Sequence, residues 1–222
     1  MQAFVIALDG PAASGKSTVG LGIAERLGYT YFDTGLLYRA LTWLALQEHV
    51  DPHDAHALLR LVDDLNVDID KAGGVSRNGA DITDALRLPE VNAHVSAVSA
   101  HAPVRDALRP VQRALIRPPG LVMVGRDIGT VIVPDAPLKI WLNASVEERA
   151  RRRSRQTGED YAAVLEGMLH RDRRDGSRAV APMARAADAI GIETDGRTPD
   201  AVIDEIVELA RARARGRASA GQ

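Results

Sequence analysis

A chain of 222 residues, 45% of them hydrophobic, can bury a sizeable core, which excludes disorder throughout and suits one α/β domain with small insertions. Its formal net charge of −2, from 28 basic and 30 acidic residues, exerts no global pull on nucleic acid or an acidic membrane, so any basic surface is local. The lack of cysteine excludes disulfides, thiolate catalysis and zinc–sulfur sites together.

The chain opens with an apolar run over residues 4–8, of the kind buried in a parallel sheet, and no charged lead or apolar signal core precedes it. Gly10-Pro11-Ala12-Ala13-Ser14-Gly15-Lys16-Ser17 follows, then Thr18, with the G-x-x-x-x-G-K-[ST] spacing of a phosphate-binding loop. Glycines let backbone amides curl around phosphate oxygens, and the next helix points its positive end at them. Lys16 is placed to reach the β- and γ-phosphates and the Ser17 hydroxyl to bind Mg²⁺, so ATP or GTP binding is expected. Val19, Ile23 and Leu27 recur at helical spacing, and Gly28 ends that helix. Residues 29–32 read as a short strand, with Asp33-Thr34-Gly35 at its carboxyl end and an apolar helix from about Leu36 to Leu46. Asp54 is placed to cap a helix carrying Leu58, Leu61, Val62 and Leu65.

From residue 66 to 83 the texture changes to short alternating pieces around an Asn78-Gly79 turn signal, which predicts a small β insertion. Residues 86–116 read as two helical segments broken near Pro103, and residues 121–124 and 138–142 as two more buried strands. Ser145 and Glu148 have capping-box spacing at the start of an Arg-rich helix that Gly158 closes, and another helix runs from about 160 to 174. Residues 189–194 form a last strand; Thr198-Pro199 then begin a helix with Val202, Ile203, Ile206 and Leu209 on one face. From about Arg213 onward the tail reads as frayed.

This alternation predicts an α/β fold, a central parallel sheet covered by helices on both faces. The expected division is a core of about 1–65, 84–150 and 180–212, the β insertion at about 66–83, an Arg-rich helical lid at about 151–179 and a flexible tail at 213–222. No apolar run approaches the ~20 residues that cross a bilayer. A soluble cytoplasmic protein with neither membrane nor nucleic-acid partner is therefore expected, and no exposed apolar helix demands an oligomer, so a monomer is expected too.

Ligands of open parallel sheets gather at the carboxyl ends of the strands. Three polar stretches fall there: the phosphate loop, Asp33-Thr34-Gly35 with Tyr38-Arg39, and Gly125-Arg126-Asp127 with Gly129-Thr130. Nine arginines crowd between Arg149 and Arg178. Arg171, Arg174 and Arg178 share one face if their helix persists, and Arg149 and Arg153 form an i, i+4 pair on the earlier helix. One reading is a solvated charged surface, softened by Glu148, Asp172 and Asp175. The other is a mobile flap whose guanidinium forks clamp the charge of a loose phosphoryl-transfer transition state and exclude water. The six histidines lack H-E-x-x-H spacing and read as structural.

Asp9-Gly10 through Ser17, Asp33-Thr34-Gly35-Leu36-Leu37-Tyr38-Arg39, Gly125-Arg126-Asp127-Ile128-Gly129-Thr130 and Arg171-Asp172-Arg173-Arg174-Asp175-Gly176-Ser177-Arg178 together resemble the bacterial cytidylate kinases, from the first strand to the last helix. The resemblance implies a P-loop kinase that transfers the γ-phosphoryl of ATP to CMP or dCMP with Mg²⁺. It implies that Arg39, Arg126 and Arg178 grip the acceptor phosphate, with Asp33, Thr34 and Tyr38 close by. Ser96, Arg105 and Asp127 would read the cytosine, and Asp175 with Arg171 would reach the sugar. Arg149, Arg153, Arg171 and Arg174 would lie in or beside the flap over ATP, and Lys16, Arg126, Arg171, Arg174 and Arg178 would carry catalysis. A regulatory GTP switch would need N-K-x-D and a strand ending in D-x-x-G, and neither is present. A P-loop kinase with another acceptor, UMP or a shikimate-like alcohol, is the nearer alternative.

Overall fold

The computed structural model describes residues 3–70, 73–177 and 181–220, apart from the side chains of 218–220. The chain divides into two compact units, one within Met1–Tyr31 and Ile116–Gln222 and the other Phe32–Leu115.

A five-stranded sheet has strand order β2-β6-β1-β7-β8, comprising β1 (Phe4–Asp9), β2 (Thr30–Asp33), β6 (Gly120–Gly125), β7 (Leu138–Asn143) and β8 (Ile190–Glu193), and all of it but Phe32 and Asp33 belongs to the first unit. β1 pairs in parallel with β6 and β7, and β7 in parallel with β8. Every residue of β1 is buried, so both faces of the sheet are covered there. This is why the strand reads as a continuous apolar run rather than an alternating one. Asp9 pairs with Gly125 on one side and Trp141 on the other, so β1 and β6 end level while β7 runs two residues further, to Asn143.

Helices α1 (Lys16–Leu27) and α8 (Pro199–Ala220) belong to the same core: Val19 and Ile23 join Ile6, Leu8, Ile140, Leu142, Val202, Ile203 and Ile206. Close approach of α1 requires Gly20, where a Cβ would stand 2.8 Å from Val124 Cγ2 and 3.0 Å from Tyr31 Cε2. Arg26 near the end of α1 pairs with Asp200, at 2.7 Å, and with Asp204 of α8. The helix α8 continues through Ala220, past the Arg213 at which the sequence reading ends it. Its Arg- and Ala-rich last turns are good helix formers, and Ala214 still packs against the core. The pair α6 (Val146–Thr157) and α7 (Tyr161–Gly176) starts at two side-chain caps, Ser145 Oγ accepting from Glu148 N and Asp160 Oδ2 from Ala163 N. Gly158 ends α6 in the left-handed conformation, and a small apolar cluster of Ala150, Val164 and Met168 joins the two helices.

In the second unit, α2 (Gly35–Gln47), α3 (Ala55–Asp63), α4 (Pro89–Val98) and α5 (Ala102–Ala114) accompany a three-stranded antiparallel sheet. That sheet is β3 (Val67–Ile69), β4 (Val75–Arg77) and β5 (Ala80–Asp81), and left-handed Asn78 and Gly79 form its hairpin turn. Asp54 caps α3, accepting from the His56 and Ala57 amides. Pro103 lies in the first turn of α5, and the interruption falls before it at residues 99–101. A proline tolerates the first turn, where its missing N–H has no helical partner, so the break belongs upstream of it.

No helix among the described residues is long and apolar enough to cross a membrane. Ile206 is fully buried in the core that joins α8 to the sheet. Ile206→Ala should lower unfolding free energy by about 2–4 kcal/mol in urea titration, because the cavity cannot collapse against a rigid sheet.

Candidate active site

The phosphate-binding loop leaves β1 at Asp9 and turns through Gly10 at φ 153, where a Cβ would stand 2.1 Å from the Leu142 carbonyl oxygen. Only glycine lets the chain pass β7 this closely. Ala13 and Gly15 are also left-handed, at φ 59 and 95, and α1 begins at Lys16 without a side-chain cap. Its first-turn amides thus point into the loop's concavity, the arrangement that binds phosphate. Lys16 Nζ donates to Pro11 O at 2.5 Å, Ser14 is fully buried, and Ser17 and Thr18 are exposed at the head of the helix.

Two arginines of α6 brace this loop. Arg149, 5% exposed, donates from Nη1 to Ala12 O at 3.3 Å, from Nε to Ala144 O at 3.0 Å and from Nη2 to Asp172 Oδ2 of α7 at 2.7 Å. Arg152 donates to Thr194 Oγ1 and O at 3.0 and 2.9 Å, and its Nη1 would stand 3.8 Å from a Cβ on Gly15. The single proton of Thr194 Oγ1 is shared between Asn143 O at 3.1 Å and Ser14 O at 3.4 Å. The spacing picked Arg153 as the partner of Arg149, but Arg153 donates to Gln156 Oε1 at 3.4 Å on its own helix. Residues three and four along a helix share a face, and only the position of Thr194 after β8 selects Arg152.

Beside the loop, on β6, stands the turn that carries Arg126 and Asp127. Asp9, 4% exposed, accepts from Ile128 N through Oδ1 and from Gly129 N through Oδ2, both at 2.8 Å. A Cβ on Gly129 would stand 3.1 Å from Lys139 Cδ and 3.4 Å from Asp9 Oδ2, so glycine lets this amide approach the carboxylate. Burial pushes the Asp9 carboxyl up from 3.8 to about 6, the nearby Asp127 adds to the rise, and the two amides and Lys16 oppose it. In the sequence Asp9 stands out only as the residue that precedes the phosphate loop. An acid closing a fully apolar strand was the available signal.

Asp127 is buried, and Arg126 Nη1 is in direct contact with Oδ2 of Asp175, which is fully buried on α7. Arg171 Nε lies 3.9 Å from the same oxygen, whereas Arg174 is exposed. Thus Arg126, Arg171 and Asp175 meet in one cluster, while Asp172 turns to Arg149 instead. The helix α7 ends at Gly176; Arg178, the third arginine of the expected face, lies outside the described residues.

The second unit gathers its own set. Asp33 Oδ1 accepts from Gly35 N at 2.9 Å, buried Thr34 begins α2, and Arg39 Nη1 donates to Leu86 O at 2.9 Å and Asn92 Oδ1 at 2.8 Å. Arg105, only 3% exposed, donates to Ser99 O at 3.0 Å and stands 5.4 Å from the Tyr38 ring centroid, within cation–π range. Ser99 Oγ reaches Ser96 O at 3.4 Å, so Ser96 and Arg105 are joined through a residue that sequence reasoning missed. Gln112, fully buried, donates to Tyr38 Oη at 3.5 Å and was missed as well.

Gly10→Ala should abolish phosphoryl transfer while the fold persists in circular dichroism, since the methyl group can be accommodated only by moving the loop. An acid whose folded pKa is raised favours the folded state fully below its unfolded value, here 3.8, and loses that contribution as pH climbs through about 6. In urea titrations from pH 4 to 7, native stability should therefore fall relative to Asp9→Asn, by about 2 kcal/mol across the window.

A cytidylate kinase family model matches residues 6–212. A cytidylate kinase of Herpetosiphon aurantiacus is 47% identical over 216 residues, covering 92% of this chain and 93% of that protein. Another, of Shouchella clausii, is 43% identical over 222 residues and covers 96% and 99%. A bifunctional pantoate ligase/cytidylate kinase of Synechococcus sp. is 47% identical over 219 residues, and the chain spans 45% of the length of that relative. Among solved structures, an uncharacterized protein of Eubacterium ventriosum aligns over 94% of this chain and 98% of its own at TM-score 0.53 and 14% identity. A gluconokinase of Sinorhizobium meliloti aligns over 100% and 98% at TM-score 0.50 and 16% identity, a likeness of fold alone. The family match spans the phosphate loop, the Arg126–Asp127 turn and the paired helices behind them, and near-full-length relatives exceed 40% identity: the chain belongs to the cytidylate kinase family.

Proposed function

We propose that this chain transfers the γ-phosphoryl group of ATP to CMP or dCMP, releasing ADP and the cytidine diphosphate. The observation that carries this reading is the level register of Asp9 and Gly125, which sets a phosphate-binding loop and an arginine-bearing turn side by side on adjacent strand ends. The loop amides and Lys16 hold the donor phosphates, with Thr18 beside them and Arg149, Arg152 and Arg153 on the adjoining helix. Arg126, with Arg39 and Arg178, neutralises the acceptor phosphate, and Asp33, Thr34 and Tyr38 line its approach. Arg171 and Arg174 supply positive charge to the group in transit.

The acceptor is a phosphate oxygen already ionised near neutral pH, so the reaction asks the protein for charge and alignment rather than for a general base. Among the described residues no group of three or more His, Cys, Asp or Glu side chains could hold a metal ion. The residues fit a Mg²⁺ carried in on the ATP phosphates, with the Ser17 hydroxyl as its protein ligand. When bound, that ion neutralises the β- and γ-phosphates. For the base, Asp127 accepts from the cytosine amine while Ser96 and Arg105 donate to the ring nitrogen and carbonyl, and Asp175 with Arg171 reaches the sugar. Uracil offers a carbonyl where cytosine has its amine, leaving a buried carboxylate repelled. The same reading places the enzyme in the cytoplasm, with its nucleotide substrates.

A coupled ADP-release assay across CMP, dCMP, UMP, AMP and shikimate tests the reading. CMP and dCMP should lead, and preference for any other acceptor would end the assignment. Lys16→Ala should lower kcat by about 10²–10³-fold, the usual loss for one preorganised donor. Asp127→Ala should narrow the CMP-to-UMP ratio of kcat/KM by about tenfold or more. Unchanged kinetics in both variants would contradict these roles.

A further inference from the structure

We propose that Asp9 is a positioning residue for phosphoryl transfer, holding the Arg126–Asp127 turn in fixed register with the phosphate-binding loop. The inference rests on the reading of Arg126 as a ligand of the acceptor phosphate. Asp9 is the last residue of β1 and the residue before the loop, so its Cα is fixed by ladder hydrogen bonds on both sides. Its two oxygens take the amides of Ile128 and Gly129, the residues that immediately follow Arg126 and Asp127. One rigid carboxylate plane therefore sets the backbone from which both side chains project.

The chemistry requires a carboxylate at this place. Two converging N–H donors, each 2.8 Å away, need two acceptors on one planar group. Asparagine offers one oxygen and presents an amide N–H₂ to the second donor. Ionised Asp satisfies both, and charge-assisted bonds to backbone amides are the strong kind. The neighbouring charged groups frame it: Lys16 at the loop attracts, Asp127 repels, and the Lys139 stem from β7 packs against Gly129 behind it. Lys139 itself pairs outward with Asp188. With both oxygens engaged and an acceptor phosphate that needs no deprotonation, Asp9 moves no proton. Its contribution is placement, and a misplacement of the order of 1 Å at a reacting centre costs about 10²-fold.

Kinetics of Asp9→Asn, Arg126→Ala and the double variant test this. Asp9→Asn should lower kcat for CMP by roughly 10²-fold and leave KM for ATP within about twofold of native. A residue acting through Arg126 gives strongly non-additive losses, so in the Arg126→Ala background the same substitution should cost less than about threefold. Native kcat in Asp9→Asn, a raised KM for ATP with kcat unchanged, or additive losses in the double variant would overturn the inference. Native kcat in Arg126→Ala would instead overturn the acceptor-phosphate reading of Arg126. If thermal melts show Asp9→Asn unfolded at the assay temperature, Gly129→Ala replaces it, disturbing the same link while keeping the carboxylate. The same non-additivity with Arg126→Ala is then expected, and additive losses overturn the inference.

Discussion

A single buried carboxylate at the end of the central strand organises the first unit. Asp9 costs free energy as an isolated charge in a dry sheet, and two backbone amides offset that cost by reaching it from the turn on β6. The turn after β6 is not free to move relative to the end of β1 without breaking these bonds. Parallel pairing supplies the other half of the constraint, because the register of β1 with β6 leaves Asp9 and Gly125 level at the strand ends, beside β7. Flat loop-bearing rims of this kind are where open α/β sheets bind ligands.

Around that rim the arginines divide into two kinds. Arg149 and Arg152 donate to carbonyls and a hydroxyl around the phosphate loop, and each also pairs with a carboxylate of the helix pair, Asp172 and Glu148. Arg126 reaches the fully buried Asp175 of α7 from the turn after β6, and Arg171 of α7 itself lies 3.9 Å from the same carboxylate. The paired helices α6 and α7 share a small apolar cluster, against which Ala13 of the loop packs, and the Arg149–Asp172 pair. Guanidinium groups exchange carboxylate for phosphate without loss of geometry, since both present paired oxygens to the same fork. A helical cover fastened by such pairs suits a site that must admit and release polyanions.

The second unit handles polarity differently. Its Arg105, Ser96, Ser99, Tyr38 and Gln112 are all buried, joined by hydrogen bonds of 3.0 to 3.5 Å and a cation–π contact. Buried polar groups held this way have defined directions, which is what discrimination between two planar bases requires.

The amino-acid sequence by itself determined the phosphate loop, the order of strands and helices, the β insertion and most helix ends. These signals are local: Gly10 and Gly15 mark backbone shape, Asp54, Ser145 and Thr198 cap the helices that follow them, and continuous apolar runs mark strands buried on both faces. Tertiary structure alone decided which polar residues share a neighbourhood. Asp9 acquires its meaning from amides 119 and 120 positions away, Arg152 displaces Arg153 because Thr194 stands beside it, and α8 persists past Arg213 because Ala214 finds the core. Local propensity carries helix and turn information over a few residues, whereas a hydrogen bond across strands is set by register, which no short stretch of chain encodes on its own.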